Sequence, residues 1–166
     1  MRDTKTVNLL LANSEGRISN LIEALVRDVC DEKAVVHCTR AAHLDELDWQ
    51  VSQERFDLVI LIPEKLSSAS GAPSPRSNYT KTADAIRTLK WKKRTPTLAV
   101  GVPSQHQAAL SEAGADCVLD VPFKCDEIKS SVRELLHLPL GVESNAEGVP
   151  PQRSLFSWFQ SLVGPN

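Results

Sequence analysis

Apolar residues along the chain fall into short unbroken runs that alternate with segments where they recur every three or four positions. Val7 to Ala12 is such a run, suited to a strand buried on both faces. Ser14 then reads as the N-cap of a helix whose Ile18, Leu21, Ile22, Leu25 and Val29 share one face. Lys33 to Thr39 predicts a second strand around Ala34-Val35-Val36, and Ala41 to Arg55 a weakly patterned helix with Leu44, Leu47, Trp49 and Val51 among charges. Phe56 to Pro63 is the most strand-like stretch of all, rich in branched residues and stopped by proline. Ser67 to Asn78 holds almost no apolar side chains and is expected to be a long flexible loop. Helical spacing resumes near Thr80 with Ala83, Ile86 and Leu89 and ends in Lys90-Trp91-Lys92-Lys93-Arg94. Pro96 to Val102 predicts a fourth strand, Ser104 to Ala113 a helix closed by Gly114, Cys117 to Val121 a fifth strand, and Asp126 to Leu136 a last helix with Ile128, Val132, Leu135 and Leu136 on one side.

Strands alternating with helices imply an α/β fold with one five-stranded parallel sheet covered on both faces, and right-handed crossovers narrow it to a doubly wound arrangement. The organisation expected is a globular domain over 1–138, a Pro- and Gly-marked linker over 139–152, and an amphipathic aromatic segment over 153–166. Three of the chain's eight aromatic residues lie in that last segment, which sets it apart from ordinary linker.

Charge and cysteine content then remove whole classes. A formal net charge of −2 gives no basic excess for coating nucleic acid, and no direct nucleic-acid partner is expected. Cys30, Cys38, Cys117 and Cys125 lack metal or disulfide spacing, and no cofactor or metal is expected. No apolar run approaches the about 20 residues of a spanning helix, and the N-terminus lacks a signal-peptide core; the reading is a reduced, cytoplasmic protein. The cations at 90–94 suit a helix C-terminus, where they complement the dipole. Cys125, near a helix start, is weighed as a redox thiol against the commoner small buried hydrophobe. His37, His43, His106 and His137 share no spacing that suggests ligation or catalysis.

Over roughly Thr6 to Leu136 the element order resembles that of response-regulator receiver domains. The particular echoes are Phe56-Asp57-Leu58-Val59, Thr95-Pro96, Gly114-Ala115-Asp116 and Val121-Pro122-Phe123. The resemblance implies the flavodoxin-like strand order 2-1-3-4-5 and a cis peptide at Val121-Pro122. It also implies metal-assisted phosphoryl transfer to an aspartate at the end of the third strand. The residues at the corresponding positions do not carry that chemistry: Ala12 and Asn13 stand for the acid pair, Ile62 for the phosphoacceptor, Gly101 for the hydroxyl residue and Val121 for the lysine. Magnesium is held by carboxylates, and an alkyl group cannot attack phosphorus. Asp57 is expected at the opposite end of the sheet, Asp120 on the other face from Val121, and Glu15 and Glu64 at the rim as solvated charges. The pseudo-site is expected to be a packed strand end, since losing crowded buried charges removes a cost.

The expectation is therefore a degenerate pseudo-receiver, bacterial and non-enzymatic, that signals or scaffolds through protein partners independently of phosphorylation, with homodimerisation possible. Partner contacts are expected in the tail, where Leu155, Trp158, Phe159 and Leu162 fall on one helical face, with Phe156 beside it. That face would be buried on a partner or back on its own domain; a membrane role is disfavoured because Arg153 is the single cation nearby. Gln152-Arg153-Ser154-Leu155-Phe156 also resembles the peptide by which bacterial proteins dock on the DNA sliding clamp. The remaining alternative is a small-ligand sensor or enzyme using the sheet's C-terminal crevice through Asn13, Glu15, Glu64 and Asp120. The Ser67 to Asn78 loop leaves the same end of the sheet and is a further candidate contact.

Overall fold

The computed structural model describes residues 5–14, 16–30, 34–66 and 75–138. Five strands and five helices alternate: β1 (Lys5–Ala12), α1 (Gly16–Cys30), β2 (Ala34–Ala41), α2 (Leu44–Gln53), β3 (Leu58–Leu61), α3 (Pro75–Lys93), β4 (Thr97–Ala99), α4 (Ser104–Glu112), β5 (Cys117–Val118) and α5 (Cys125–Leu135). All pairings are parallel, in the order β2-β1-β3-β4-β5. This is the doubly wound, receiver-type topology that the pattern and the resemblance predict, and Val121-Pro122 is cis.

Each strand side chain goes to one of two cores because strand residues alternate in direction. Leu10, Val59, Leu61 and Ala99 enter the core beneath α2, α3 and α4. Leu9, Leu11, Leu58, Ile60, Leu98 and Val100 enter the core beneath α1 and α5. Every residue of β3 is buried, which is why that stretch lacks polar positions altogether. Lys129 of α5 pairs with Asp28 of α1 at 2.5 Å across the top of the second layer.

At the N-terminal end of the sheet, Asn8 and Asp57 bond reciprocally: the Asp57 N–H donates to the Asn8 carbonyl at 2.8 Å, and Asn8 N–H donates to Asp57 Oδ2 at 2.8 Å. The carboxylate of Asp57 thus serves the strand start, as its distance from the opposite end predicts. Gly114 closes α4 with φ +109, its N–H donating to the Ser111 carbonyl, while the Lys90 stem passes 2.8 Å from where a Cβ would stand.

Four local expectations change. α3 begins at Pro75, so the last four residues of the expected 67–78 loop are helical; proline in the first helical turn loses no hydrogen bond, because that N–H has no partner there. Residues 67–74 lie outside the described residues. Ser14 is not at the helix cap: α1 starts at Gly16, and Ser14 instead donates both its N–H (3.2 Å) and its hydroxyl to the Lys65 carbonyl, tying the loop after β1 to the turn after β3. β4 and β5 are shorter than their apolar runs, although the ladder bonds continue as far as Leu119, whose N–H donates to the Ala99 carbonyl. Asp120 and Val121 therefore lie beyond β5, and strand alternation does not govern them; Asp120 Oδ1 accepts the Val121 N–H at 2.6 Å.

Candidate functional site

The C-terminal edge of a parallel sheet gathers the ends of several strands, and here β1, β3 and β4 deliver Ala12, Ile62 and Gly101 to one place. Ala12 is fully buried, and Ile62, 5 % exposed, packs into the core beneath α1 and α5. The Ile62 N–H donates to the Ala12 carbonyl at 3.1 Å, extending the β1–β3 ladder by one residue. Asn13 is buried; its N–H donates to the Ala41 carbonyl at 2.9 Å and its amide Nδ2 donates to Ser19 Oγ at 3.3 Å. Gly101 adopts φ +72, a conformation that side-chain-bearing residues rarely take, and the Phe123 ring lies 3.6 Å from where its Cβ would be.

These residues do not fit a hard divalent cation. Such an ion takes six or more oxygen ligands with carboxylates among them, whereas the strand ends present methyl and alkyl groups and one amide already engaged with Ser19. Among the described residues no group of three His, Cys, Asp or Glu side chains is placed to hold a metal. Ile62 offers no nucleophilic atom to a phosphoryl donor.

The packed strand end expected from sequence holds for Ala12, Asn13, Ile62 and Gly101 and fails for Val121, which is 49 % exposed. Its place beyond β5, in the turn that Asp120 and Pro122 make, lifts it off the sheet. Val121 instead borders an open cleft of about 480 Å3 whose other walls include Glu64, Asn78, Tyr79, Pro103 and His106. The cleft continues along α3 and α4 into a shallower hollow of about 300 Å3 between Ala83, Arg87 and Ala109. The rings of Tyr79 and His106 stack between the two hollows, centroids 4.0 Å apart and planes 13° apart. Burial, and secondarily the Glu64 charge, pushes the Tyr79 phenol above its ordinary value. Nothing in the sequence singled out this pair, since a lone tyrosine and a lone histidine 27 residues apart carry no periodic signal.

Of the described residues weighed for small-ligand chemistry, only Glu64 faces that cleft. Asn13 is buried against Ser19, Asp120 holds the Val121 N–H, and Glu15 lies outside the described residues. Cys125 stands first in α5, but burial raises its thiol pKa, with Lys129 opposing only in part; the small-hydrophobe reading suits it better than a reactive thiolate. Cys38 is pushed up to about 11 by burial and by Glu23.

The two described tryptophans are both exposed. Trp49, counted among the apolar positions of its helix, is 58 % exposed, because Leu44, Leu47 and Val51 already fill the inward face. Trp91, within the basic run, is 91 % exposed. The tail residues Gln152, Leu155, Phe156, Trp158, Phe159 and Leu162, and the linker before them, lie outside the described residues. Among those described, no helix is long and apolar enough to cross a membrane.

No family model matches the sequence, and neither does any curated protein. Solved structures do match by shape. The receiver domain of NtrX from Brucella abortus superposes with a TM-score of 0.60 at 15 % identity, covering 79 % of this chain and 99 % of that one. A signal receiver domain of a histidine kinase from Clostridium thermocellum gives 0.61 at 13 % identity, covering 78 % and 97 %. The receiver domain of a sensor histidine kinase from Pseudomonas aeruginosa, which has a magnesium ion coordinated in its active-site cleft, gives 0.59 at 19 % identity, covering 80 % and 98 %. The chain has the receiver fold.

Proposed function

We propose that this chain is a pseudo-receiver: a non-enzymatic module that signals or scaffolds through protein partners in a bacterial cytoplasm, independently of phosphorylation. One observation carries the reading. The strand end that would present a phosphoacceptor presents Ile62, 5 % exposed and packed against the core, with Ala12 and the Ser19-bonded Asn13 beside it. A site without nucleophile or carboxylate ligands has no means of forming a phosphoryl bond or of holding the ion that would stabilise its charge.

The tie from Ser14 to the Lys65 carbonyl joins two of the loops around this strand end. The chain is accordingly read as holding one receiver conformation and offering it as a fixed surface. Partner recognition is assigned to the aromatic tail, with Leu155, Trp158, Phe159 and Leu162 as the anchoring stripe and Gln152 and Phe156 beside it.

The test is incubation of the intact chain with magnesium and acetyl phosphate, and separately with magnesium and beryllium fluoride, read by intact mass and by amide chemical shifts. The expected result is an unchanged mass and unchanged resonances at Asn13, Ile62 and Gly101. A phosphoryl adduct, or saturable shifts at those three residues, overturns the reading.

A further inference from the structure

We infer that the outer face of α2 and α3 is a self-complementary surface through which two copies of this chain pair about a two-fold axis. This goes beyond the proposed function, and no residue of the strand end or of the tail takes part in it.

The two helices lie side by side over one core. Leu44, Leu47 and Val51 of α2 and Ala83, Ile86 and Leu89 of α3 all point into it. Trp49 stands two residues from both Leu47 and Val51, and Trp91 two residues from Leu89; a two-residue step on a helix turns a side chain roughly 200°, to the far side. Both indoles therefore project from the outward face of this helix layer, 58 % and 91 % exposed. Two of the chain's three tryptophans are thus left in water on neighbouring helices. An isolated exposed apolar residue is ordinary, but two large exposed aromatics on neighbouring helices with charges around them have the composition of an interface.

The charges around them select the partner. α2 carries Asp45, Glu46 and Asp48 and no Lys or Arg. α3 ends in Lys90, Lys92 and Lys93, with Arg94 next in the chain. Lys90 is taken by Asp116 and the Thr95 carbonyl, and Glu46 by the Ala42 N–H; the exposed charges that remain are Asp45 and Asp48 on α2 and Lys92, Lys93 and Arg94 at the end of α3. The two helices adjoin, and the charge of Lys92 acts on Asp48 against the burial that raises its pKa. A two-fold contact brings residue i of one copy to residue j of the other and j to i. A patch acidic along one helix and basic along its neighbour meets itself favourably twice under that operation, with the four indoles at the centre.

The surface is unsuited to a polyanion, because Asp45 and Asp48 would stand against phosphates. Its size suits a modest dimer. With 58 % and 91 % of their surfaces exposed, two aromatics of about 150–250 Å2 each can supply about 220–370 Å2 per copy, against about 800 Å2 per partner in a standard interface.

The experiment is sedimentation equilibrium of the intact chain from about 1 to 200 µM, with thermal melts to follow folding. The unaltered chain is expected to dimerise, and Trp49→Ala or Trp91→Ala to weaken association at least about tenfold. Asp45→Lys with Asp48→Lys, and Lys92→Glu with Lys93→Glu, should each give monomers. Mixing the two charge-reversed chains should restore a dimer, because both crossed contacts are then again of opposite sign; chains merely damaged by substitution would stay apart. A monomer at every concentration overturns the inference, as does a dimer indifferent to the tryptophan substitutions or a mixture that fails to associate. If the unaltered chain is a monomer whose indole quenching rises when residues 139–166 are removed, the surface is covered by the chain's own tail, and the inference is likewise wrong.

Discussion

The imidazole of His106 lies flat on the phenol of Tyr79, with ring centroids 4.0 Å apart, so that one ring from α4 and one from α3 join the two helices between the hollows that flank them. Tyr79 is 7 % exposed and belongs to the core beneath α2–α4. Truncation to Tyr79→Ala removes a buried ring and its stacking partner and is expected to cost about 2–4 kcal/mol. Tyr79→Phe keeps both and should cost less than about 1 kcal/mol. Urea unfolding of the two variants separates the cases; equal losses would show that the hydroxyl, and not the ring, holds the contact.

Gly101 stands where a receiver of the resembled kind carries a hydroxyl residue, and its backbone is at φ +72. Space is not the obstacle, since a Cβ would meet the Phe123 ring at an ordinary 3.6 Å. Conformation is: a β-branched residue in the left-handed region is strained. Gly101→Thr is expected to lower stability by about 1–2 kcal/mol and Gly101→Ala by about 1 kcal/mol, measured by the same unfolding. A neutral Gly101→Thr would mean that the turn relaxes freely to φ below zero.

Glu23 of α1 accepts from Arg27 one turn on (2.8 Å) and from Arg40 of β2 (2.9 Å). Chiefly the hydrogen bonds from Arg27 and then Arg40 hold its carboxyl below the ordinary 4.5. A depressed folded-state pKa gives stability that is present above the ordinary value and is lost as pH falls through the folded one. The partners are half-exposed, so the contribution is small, about 0.5–1 kcal/mol. Glu23→Gln should therefore destabilise by that amount at pH 7, and the difference from the unaltered chain should be smaller at about pH 3 than at pH 7. Parallel melts at the two pH values check it; a difference that grows in acid would contradict the assignment.

If the tail recognises a partner, Leu155→Ala, Phe156→Ala and Trp158→Ala together should abolish capture of that partner from cell extract by the immobilised chain. The same substitutions should leave the melting temperature within a degree or two, since a recognition segment contributes to binding and not to the core. A large fall in melting temperature would assign the stripe to the chain's own domain instead.

The fold was legible because its determinants are local and repetitive. Unbroken apolar runs such as Leu58 to Leu61 can only be strands buried twice over, and the spacing of Ile18, Ile22 and Val29 admits only a one-sided helix. The packing of Ala12 and Ile62 at the strand end was legible too, because methyl and alkyl side chains carry no charge to solvate. What escaped the sequence depends on which way a lone side chain turns. Trp49 is one of the few large apolar residues of α2 yet points outward, Ser14 bonds across to Lys65 and not to its own helix, and Tyr79 meets a histidine of a different helix. Each is fixed by tertiary placement, for which no periodicity speaks. Val121 was misjudged for a related reason: β5 stops at Val118, and a run of apolar residues does not say where the sheet ceases to claim them.

β3 sends Val59 and Leu61 into one core and Leu58 and Ile60 into the other. Neither helical layer owns that strand, so neither can come away and leave its counterpart with a sheet to cover. Heat should accordingly melt residues 5–138 in a single calorimetric step, and the slowest amides to exchange with deuterium should be those of β3, the last to open whichever side is disturbed first.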